Sequence, residues 1–378
     1  AAFRYFLRNP ICQEMGRKIK MSFSNTDEDT SLAYLHDVGF IPKIVNGARG
    51  FKVVVGGGLG AQPMLAHVAH EFLAEDQVIP FIEAILRVFD RHGERNSRHK
   101  ARMKFLIQKI GFEAFMDLVK AESKALKNHS FEIPSATAWE VTPPTLVASV
   151  ETPTSEDYAT WLATNTFEQK QKGFHAVYVR ILNGNISSTT SRSLIDALKG
   201  YIGDDIRITI NQGLMLKYVP TANLAYVYSV LDAHRLAAPG ANSIANITAC
   251  PGTDTCNLAI SDSTNITSKL EAVITEEFPS LIHDSAMKIK ISGCMNACGQ
   301  HSMASIGFHG SSLKAADKRV LPALQVLLGG ATLGNGEGKI ADKVIKVPSK
   351  RGPQVLRTLL NNFEENAQAD EYFHSYYD

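Results

Sequence analysis

The chain has 378 residues, 44% of them hydrophobic, with 39 lysines and arginines against 38 aspartates and glutamates for a formal net charge of +1. That length predicts roughly two to three domains with ordinary apolar cores, and the even charge balance excludes a protein built as a whole for nucleic acid or an anionic surface. Five cysteines in so long a chain are no disulfide scaffold, and the longest apolar run, VIPFIEAILRVF, is interrupted by Glu83 and falls short of the ~20 residues of a membrane span.

The first stretch, AAFRYFLRNP, is aromatic and strand-like, begins without methionine and lacks the layout of a signal peptide. A cytoplasmic location is expected, and the abrupt ends, including DEYFHSYYD, suggest a longer natural protein. FKVVVGGG reads as a β-branched strand ending in glycines. EFLAEDQVIPFIEAILRVFDRHG and HKARMKFLIQKIGFEAFMDLVKAESKAL have the apolar i, i+3, i+4 spacing of amphipathic helices. Residues 134–157 carry four prolines among many Ser and Thr and read as a linker. Beyond it, FHAVYVRILNG and DIRITINQGLMLKYV alternate like strands around a helix in SRSLIDALKG. Three further short strands follow, KIKISGC, MASIGFHG and ALQVLLGG.

The two halves repeat one another. Lys18–Ser22, Val38–Phe40 and Val53–Gly57 recur in the same order and at nearly constant spacing as Lys288–Ser292, Ile306–Phe308 and Val326–Gly330. Only the second copy carries thiols. Cys250 and Cys256 flank a loop rich in Gly, Pro and Thr, and Cys294 and Cys298 stand close enough for one helical turn to set both on one face. Cys12 is left over. Three readings compete for the four thiols. An iron–sulfur cluster tolerates wide, asymmetric spacing; a structural zinc site fits the second pair loosely and the first not at all; inert buried thiols are the third.

Residues 91–104 hold Arg91, Arg95, Arg98, Lys100, Arg102 and Lys104 with Glu94 as the one glutamate. Arg95, Arg98 and Arg102 at near-helical spacing would form an edge of guanidinium forks for carboxylates or phosphates, unless the run is simply a solvated face. In GRKIKMSFS, strand alternation would send Lys18 and Lys20 to one face, suited to an anion between them or to protection of a sheet edge.

These motifs together, C-x5-C and C-x3-C with RKIK, VVVGGGLG, GERNSRHKARMKF and RITINQ, resemble the sirohaem- and 4Fe–4S-dependent sulfite and nitrite reductases along nearly the whole chain. The resemblance implies an α+β fold of duplicated sirohaem-binding α/β domains with a ferredoxin-like (parachute) half-domain between them. It divides the chain into a first repeat at 1–133, truncated at its N-terminus, the linker at 134–157, the half-domain at 158–237 and a second repeat at 238–378. It makes Cys250, Cys256, Cys294 and Cys298 ligands of a 4Fe–4S cluster, with Cys298 bridging to the sirohaem iron. It assigns Lys18 and Lys20 to the substrate anion. Arg17, Arg95, Asn96, Arg98, Arg102 and Lys104, with Gly57 and Gly58 in a loop approaching the macrocycle and Asn211 and Gln212 of RITINQ, fall to sirohaem.

The implied reaction is the six-electron reduction of sulfite to sulfide, or of nitrite to ammonia. Lys20, where nitrite-specialised relatives often carry Asn, favours the sulfite dianion. Electrons would come from an external donor, ferredoxin or a flavoprotein reductase, because no flavin or pyridine-nucleotide fingerprint is present; GGGLG lacks the G-x-G-x-x-G order. Two departures stand out: Met295 replaces the usual proline, and two anion-binding arginines with half of an N-terminal domain would precede Ala1. His301 reads as a satisfied structural histidine. The rival class, a zinc-stabilised nucleic-acid-binding protein, conflicts with the neutral charge and with the lack of aromatics among the basic residues; no nucleic-acid or membrane partner is expected.

Overall fold

A computed structural model describes residues 1–133, 142–334, 337–368 and 371–378 and divides into two units, Ala1–Thr137 with Thr332–Ile340 and Ala138–Ala331 with Ala341–Asp378. In the first unit, the opening aromatic stretch is a helix, α1 (Ala2–Arg8), not a strand. Helical spacing lets Tyr5 reach inward, where its hydroxyl donates to Glu83 at 2.6 Å. The sheet runs β1 (Met21–Phe23), β2 (Val38–Val45), β3 (Ala48–Val55), β4 (His67–Ala74) in that spatial order. The segment EFLA belongs to β4 because its backbone pairs antiparallel with β3; the helix expected there, α2, starts at Val78 and ends at His92. The next helical stretch is two helices, α3 (Met103–Ile110) and α4 (Phe112–Lys124), broken by Gly111 at φ +87°. Val38, Phe40, Val53 and Val55 of the sheet bury themselves against Ile82, Ile85, Met103 and Phe115, the apolar stripes that the periodicity marks.

The described part of the second unit opens on residues 142–154, which form neither helix nor strand; residues 134–141 of the expected linker lie outside the described residues. Asn223 holds this segment, accepting from Ala148 N–H and donating to the Leu146 carbonyl. A ferredoxin-like half-domain follows. It contains α5 (Glu156–Asn165), β5 (Thr166–Glu168), β6 (Phe174–Val179), α6 (Ser188–Leu198), β7 (Ile206–Ile208), β8 (Leu214–Pro220) and α7 (Leu224–Ala233), with sheet order β5-β6-β8-β7. Trp161, Val177, Leu216 and Leu231 form its core. The chain then makes β9 (Thr248–Ala249), α8 (Ser263–Glu277), β10 (Ile289–Ser292), β11 (Ile306–Lys314) and β12 (Val320–Leu328). A two-stranded sheet, β13 (Ala331–Gly334) and β14 (Glu337–Lys339), whose residues from Thr332 on belong to the first unit, precedes β15 (Asp342–Pro348), α9 (Gly352–Asn366) and α10 (Phe373–Tyr377) in the chain. The main sheet is ordered β15-β12-β11-β10-β9.

The duplication is written in the backbone register. β1 runs parallel to β2 with Met21 opposite Val38, as β10 runs parallel to β11 with Ile289 opposite Ile306. Val38 then pairs with Val55 and Phe40 with Val53, as Ile306 pairs with Leu328 and Phe308 with Val326. The same glycine contacts recur: a Cβ on Gly39 would lie 2.5 Å from the Ala33 carbonyl oxygen and one on Gly307 2.1 Å from that of His301. Register corrects the sequence alignment of the first block by two residues, so that Lys20 corresponds to Lys288 and Ser22 to Lys290. A slip of two preserves the faces of a strand, which is why the pattern tolerates it. No helix among the described residues is long and apolar enough to cross a membrane.

Replacing Gly307 with alanine should destabilise the second unit by ~1–3 kcal/mol, since the added methyl overlaps a backbone carbonyl that has no rotamer to escape into. Urea denaturation would show this as a lower midpoint at unchanged slope.

Candidate cofactor site

The first pair of thiols grows from the end of β9. Gln212, at φ +64°, clamps that end like a further strand residue: Ala249 N–H donates to its Oε1 at 2.9 Å and its Nε2 donates to the Ala249 carbonyl at 2.8 Å. Its amide is thereby engaged with protein, and Asn211 likewise donates to Asn242 Oδ1 at 2.6 Å. Cys250 continues the ladder by donating its N–H to the Ile291 carbonyl, and its Sγ accepts the Gly293 N–H at 3.0 Å. The loop then turns at Gly252, φ +60°, and Cys256 N–H closes it on the Gly252 carbonyl. On the way back Ile260 and Ser261 both donate to the Gly293 carbonyl, at 2.7 and 3.1 Å.

The second pair follows Gly293 directly. The expected helical turn is absent: Ala297 and Gln300 adopt left-handed φ of +58° and +61°, and Gly299 N–H donates to Ser292 Oγ at 3.0 Å. A chain that turns this way cannot propagate an α-helix. The two loops nest because Gly293 has no side chain; a Cβ there would stand 2.7 Å from Gly252 Cα. Cys294 is buried, Cys250 half-buried, and Cys256 and Cys298 are exposed. Two exposed thiols do not fit the reading of four inert core residues. Among the described residues no three Cys, His, Asp or Glu side chains gather around one point. A four-iron cube offers each thiolate its own corner, and two nested loops with a backbone N–H already directed at one sulfur suit that donor set. Cys12 is half-buried against the core of the first unit, where burial pushes its thiol up to about 11.

The first copy has the same loop without thiols. Asp29 and Leu32 take the left-handed conformations of Ala297 and Gln300, which puts Thr26 and Thr30 at the places of Cys294 and Cys298. There the loop is tied internally: Asp29 Oδ1 accepts from Ser24 Oγ at 2.7 Å and from Ala33 N–H at 2.8 Å.

What the first unit offers instead is cations. Lys18 and Lys20 are exposed on either side of half-buried Ile19, so they share a side as expected, but in a segment that precedes β1 instead of within a strand. The reason is Asp37, 1% exposed, whose Oδ2 accepts the Lys20 N–H at 2.8 Å in place of a strand partner and pairs with Arg102 at 2.5 Å. Arg17 donates Nε and Nη2 to the Arg98 carbonyl at 3.3 and 3.0 Å. RKIK and the basic run therefore meet through Asp37 and Arg98.

The continuous helical edge of guanidinium forks does not form. After α2 stops, Glu94 Oε1 accepts the N–H groups of Asn96 and Ser97 at 2.6 and 2.9 Å, making a turn. Arg95 folds back onto the carboxylate and carbonyl of Asp90, while the side chain of Arg98 stays exposed. Lys104 departs furthest from the expected role. It is 4% exposed and its Nζ donates to the carbonyls of Leu59 and Gln62 at 2.8 and 2.6 Å, so its ammonium braces the glycine loop from beneath. Gly57 and Gly58 are buried against the chain itself: a Cβ on Gly57 would lie 2.2 Å from the Tyr34 carbonyl oxygen and one on Gly58 3.1 Å from Lys104 Cδ. Their close approach is to protein.

Sequence reading missed Asp37, Lys290 and His309. His301 is buried beside His309 with ring centroids 4.7 Å apart, and burial pushes it down to about 3. Its Nδ1 and the His309 Nε2 have no hydrogen-bond partner among the described residues, so the histidine is not the satisfied one expected.

The class defined by this fold and thiol cradle is matched by comparison with known proteins. Residues 4–127 and 240–375 match the nitrite and sulphite reductase 4Fe–4S domain, and residues 167–234 match the nitrite/sulfite reductase ferredoxin-like half domain. The chain belongs to the nitrite and sulphite reductase 4Fe–4S domain family, whose cofactors are a 4Fe–4S cluster and sirohaem. It is 28% identical over 341 residues to sulfite reductase (ferredoxin) 1 of Mycolicibacterium paratuberculosis, covering 89% of this chain and 57% of that protein. It is 25% identical over 358 residues to the chloroplastic ferredoxin–nitrite reductase of Zea mays, covering 93% and 59% respectively. The structure of Mycobacterium tuberculosis NirA superposes with a TM-score of 0.75 at 25% identity, over 96% of this chain and 63% of that one. The chain thus spans about three-fifths of the length of these relatives.

The burial of Lys104 carries a pH signature. Desolvation, with the Arg102 charge adding to it, pushes its pKa down from 10.5 to about 8. Between those values the unfolded chain holds the proton that the folded chain has released, so the Lys104 contribution to stability rises with pH across that window. Denaturation of wild type and Lys104→Met from pH 7 to 10.5 should show a stability difference that grows in favour of the wild type above pH 8.

Proposed function

We propose that the chain is the cofactor-holding part of an enzyme that reduces sulfite to sulfide with six electrons, Cys250, Cys256, Cys294 and Cys298 binding the cluster and Cys298 also facing the sirohaem iron. The observation that carries this reading is the nesting of the two cysteine loops on Gly293 and Gly252. When bound, the coupled cofactors would supply the low-potential electrons that such a reduction needs.

The protein's own share is charge and protons. Lys18 and Lys20 attract the oxyanion and donate protons as its oxygens leave as water, their fixed positive charges opposing the negative charge that develops. Asp37 orders this pair indirectly, through the Lys20 N–H. Arg17, Asn96, Arg98 and Arg102 are the candidates for the carboxylates that rim a sirohaem. Arg102 would serve while keeping Asp37, since its Nε is buried and without a partner among the described residues. Electrons come from a separate donor, ferredoxin by analogy with the relatives named for it.

Nitrite reduction to ammonia is the second reading, favoured by the likeness to the Zea mays enzyme. The second ammonium, Lys20, suits a dianion better than a monoanion and favours sulfite.

Anaerobically purified protein should show sirohaem absorption with about five irons per chain, four in the cluster and one in the macrocycle. With a chemically reduced viologen as donor, kcat/KM for sulfite should exceed that for nitrite, and Lys18→Met or Lys20→Met should lower it by roughly 100-fold. The reverse substrate ratio would assign nitrite. Colourless protein from cells that make sirohaem would overturn the proposal.

A further inference from the structure

Lys290 is the one residue of β10 whose chemistry the strand does not need. It is 7% exposed, and its Nζ has two neutral partners, Thr248 Oγ1 and Gln300 Oε1, each at 3.3 Å. Among the described residues no carboxylate forms an ion pair with it; the charged group that bears on it is Lys288, of like sign. Burying an ammonium without a counter-charge is costly. The first copy shows that the fold does not require this cost. At the corresponding place stands Ser22, also buried, whose hydroxyl is satisfied by the Ser31 carbonyl at 2.9 Å and hydroxyl at 2.7 Å. The cation is therefore particular to the copy with thiols.

Its partners show where the charge points. Thr248 lies opposite Lys290 in the ladder and two residues before Cys250, so strand alternation puts Thr248 and Cys250 on the same side. Gln300 comes two residues after Cys298. The ammonium thus sits between the two backbone segments that carry the cysteine pairs. Four thiolates around a four-iron core leave a net negative charge in both of its usual oxidation levels, one unit larger in the reduced one. We infer that Lys290 is the buried counter-charge of the cluster and raises its reduction potential by favouring the more negative, reduced form. The step it biases is a one-electron reduction of the cluster, with the electron supplied by the external donor.

This inference rests on the four-cysteine reading, and one experiment separates the two. Holoprotein of wild type, Lys290→Met, Lys290→Gln and Lys290→Arg would be titrated potentiometrically with EPR detection of the reduced cluster, with iron and acid-labile sulfide counted on each sample. The expected result is a full iron complement in every variant, a shift to lower potential in Met and Gln, and a potential near wild type in Arg. An unshifted potential in Lys290→Met at full iron content would overturn the inference. So would iron loss in Lys290→Met that Lys290→Gln restores with unshifted potential, because the residue would then only hold the Gln300 loop. Absence of iron and sulfide from the wild type would instead overturn the ligand reading itself.

Discussion

The thiol-bearing face depends on the absence of a side chain at Gly293. Its N–H is given to Cys250 Sγ, its carbonyl accepts from both Ile260 and Ser261, and its Cα lies against Gly252 of the other loop. A Cβ on Gly310 of the neighbouring strand would fall 2.0 Å from the Gly293 carbonyl oxygen, so the glycine is enclosed by backbone on that side too. Backbone cannot rotate aside as a side chain can. Any residue larger than glycine would separate the two cysteine loops, and with them the donor set that a four-iron cluster requires.

The two copies show which parts of the frame serve folding and which serve chemistry. Strand register, left-handed turns and glycine contacts recur in both, because each copy packs a short 3-10 turn, Ala33–Leu35 or His301–Met303, against the start of the strand that carries Gly39 or Gly307. The differences lie where register sets no demand. Thr26 and Thr30 become Cys294 and Cys298, Ser22 becomes Lys290, and apolar Ala33 and Ile41 of one small core become His301 and His309. One copy specialises in exposed lysines ordered by a buried aspartate, the other in thiols backed by buried nitrogen.

Asp37 illustrates how a single buried acid organises cations that are distant in sequence. With one oxygen it holds both the Lys20 backbone and the Arg102 guanidinium, and it thereby converts two basic segments into one local arrangement. A carboxylate buried in this way is sustained by those charge-assisted bonds. Lys104, which the same basic run contains, is drawn the other way by the loop carbonyls and becomes part of the frame.

The sequence alone determined the features that depend on local chemistry and spacing. Alternation and helical periodicity located most strands and helices, Gly and Pro marked the turns, and the spacing of Cys250, Cys256, Cys294 and Cys298 with RKIK pointed to the family that the domain comparison establishes. The duplication, too, was visible as repeated blocks. Tertiary structure decided what periodicity cannot encode: that EFLA is a strand because β3 lies beside it, that Gly111 divides one amphipathic stretch, and that the true register of the first block is shifted by two residues. It also decided the fate of each charge. Whether a lysine faces solvent, as Lys18 does, or is buried on backbone carbonyls, as Lys104 is, depends on which distant segments pack against it. Side-chain hydrogen bonds between such segments have no period in the sequence to reveal them.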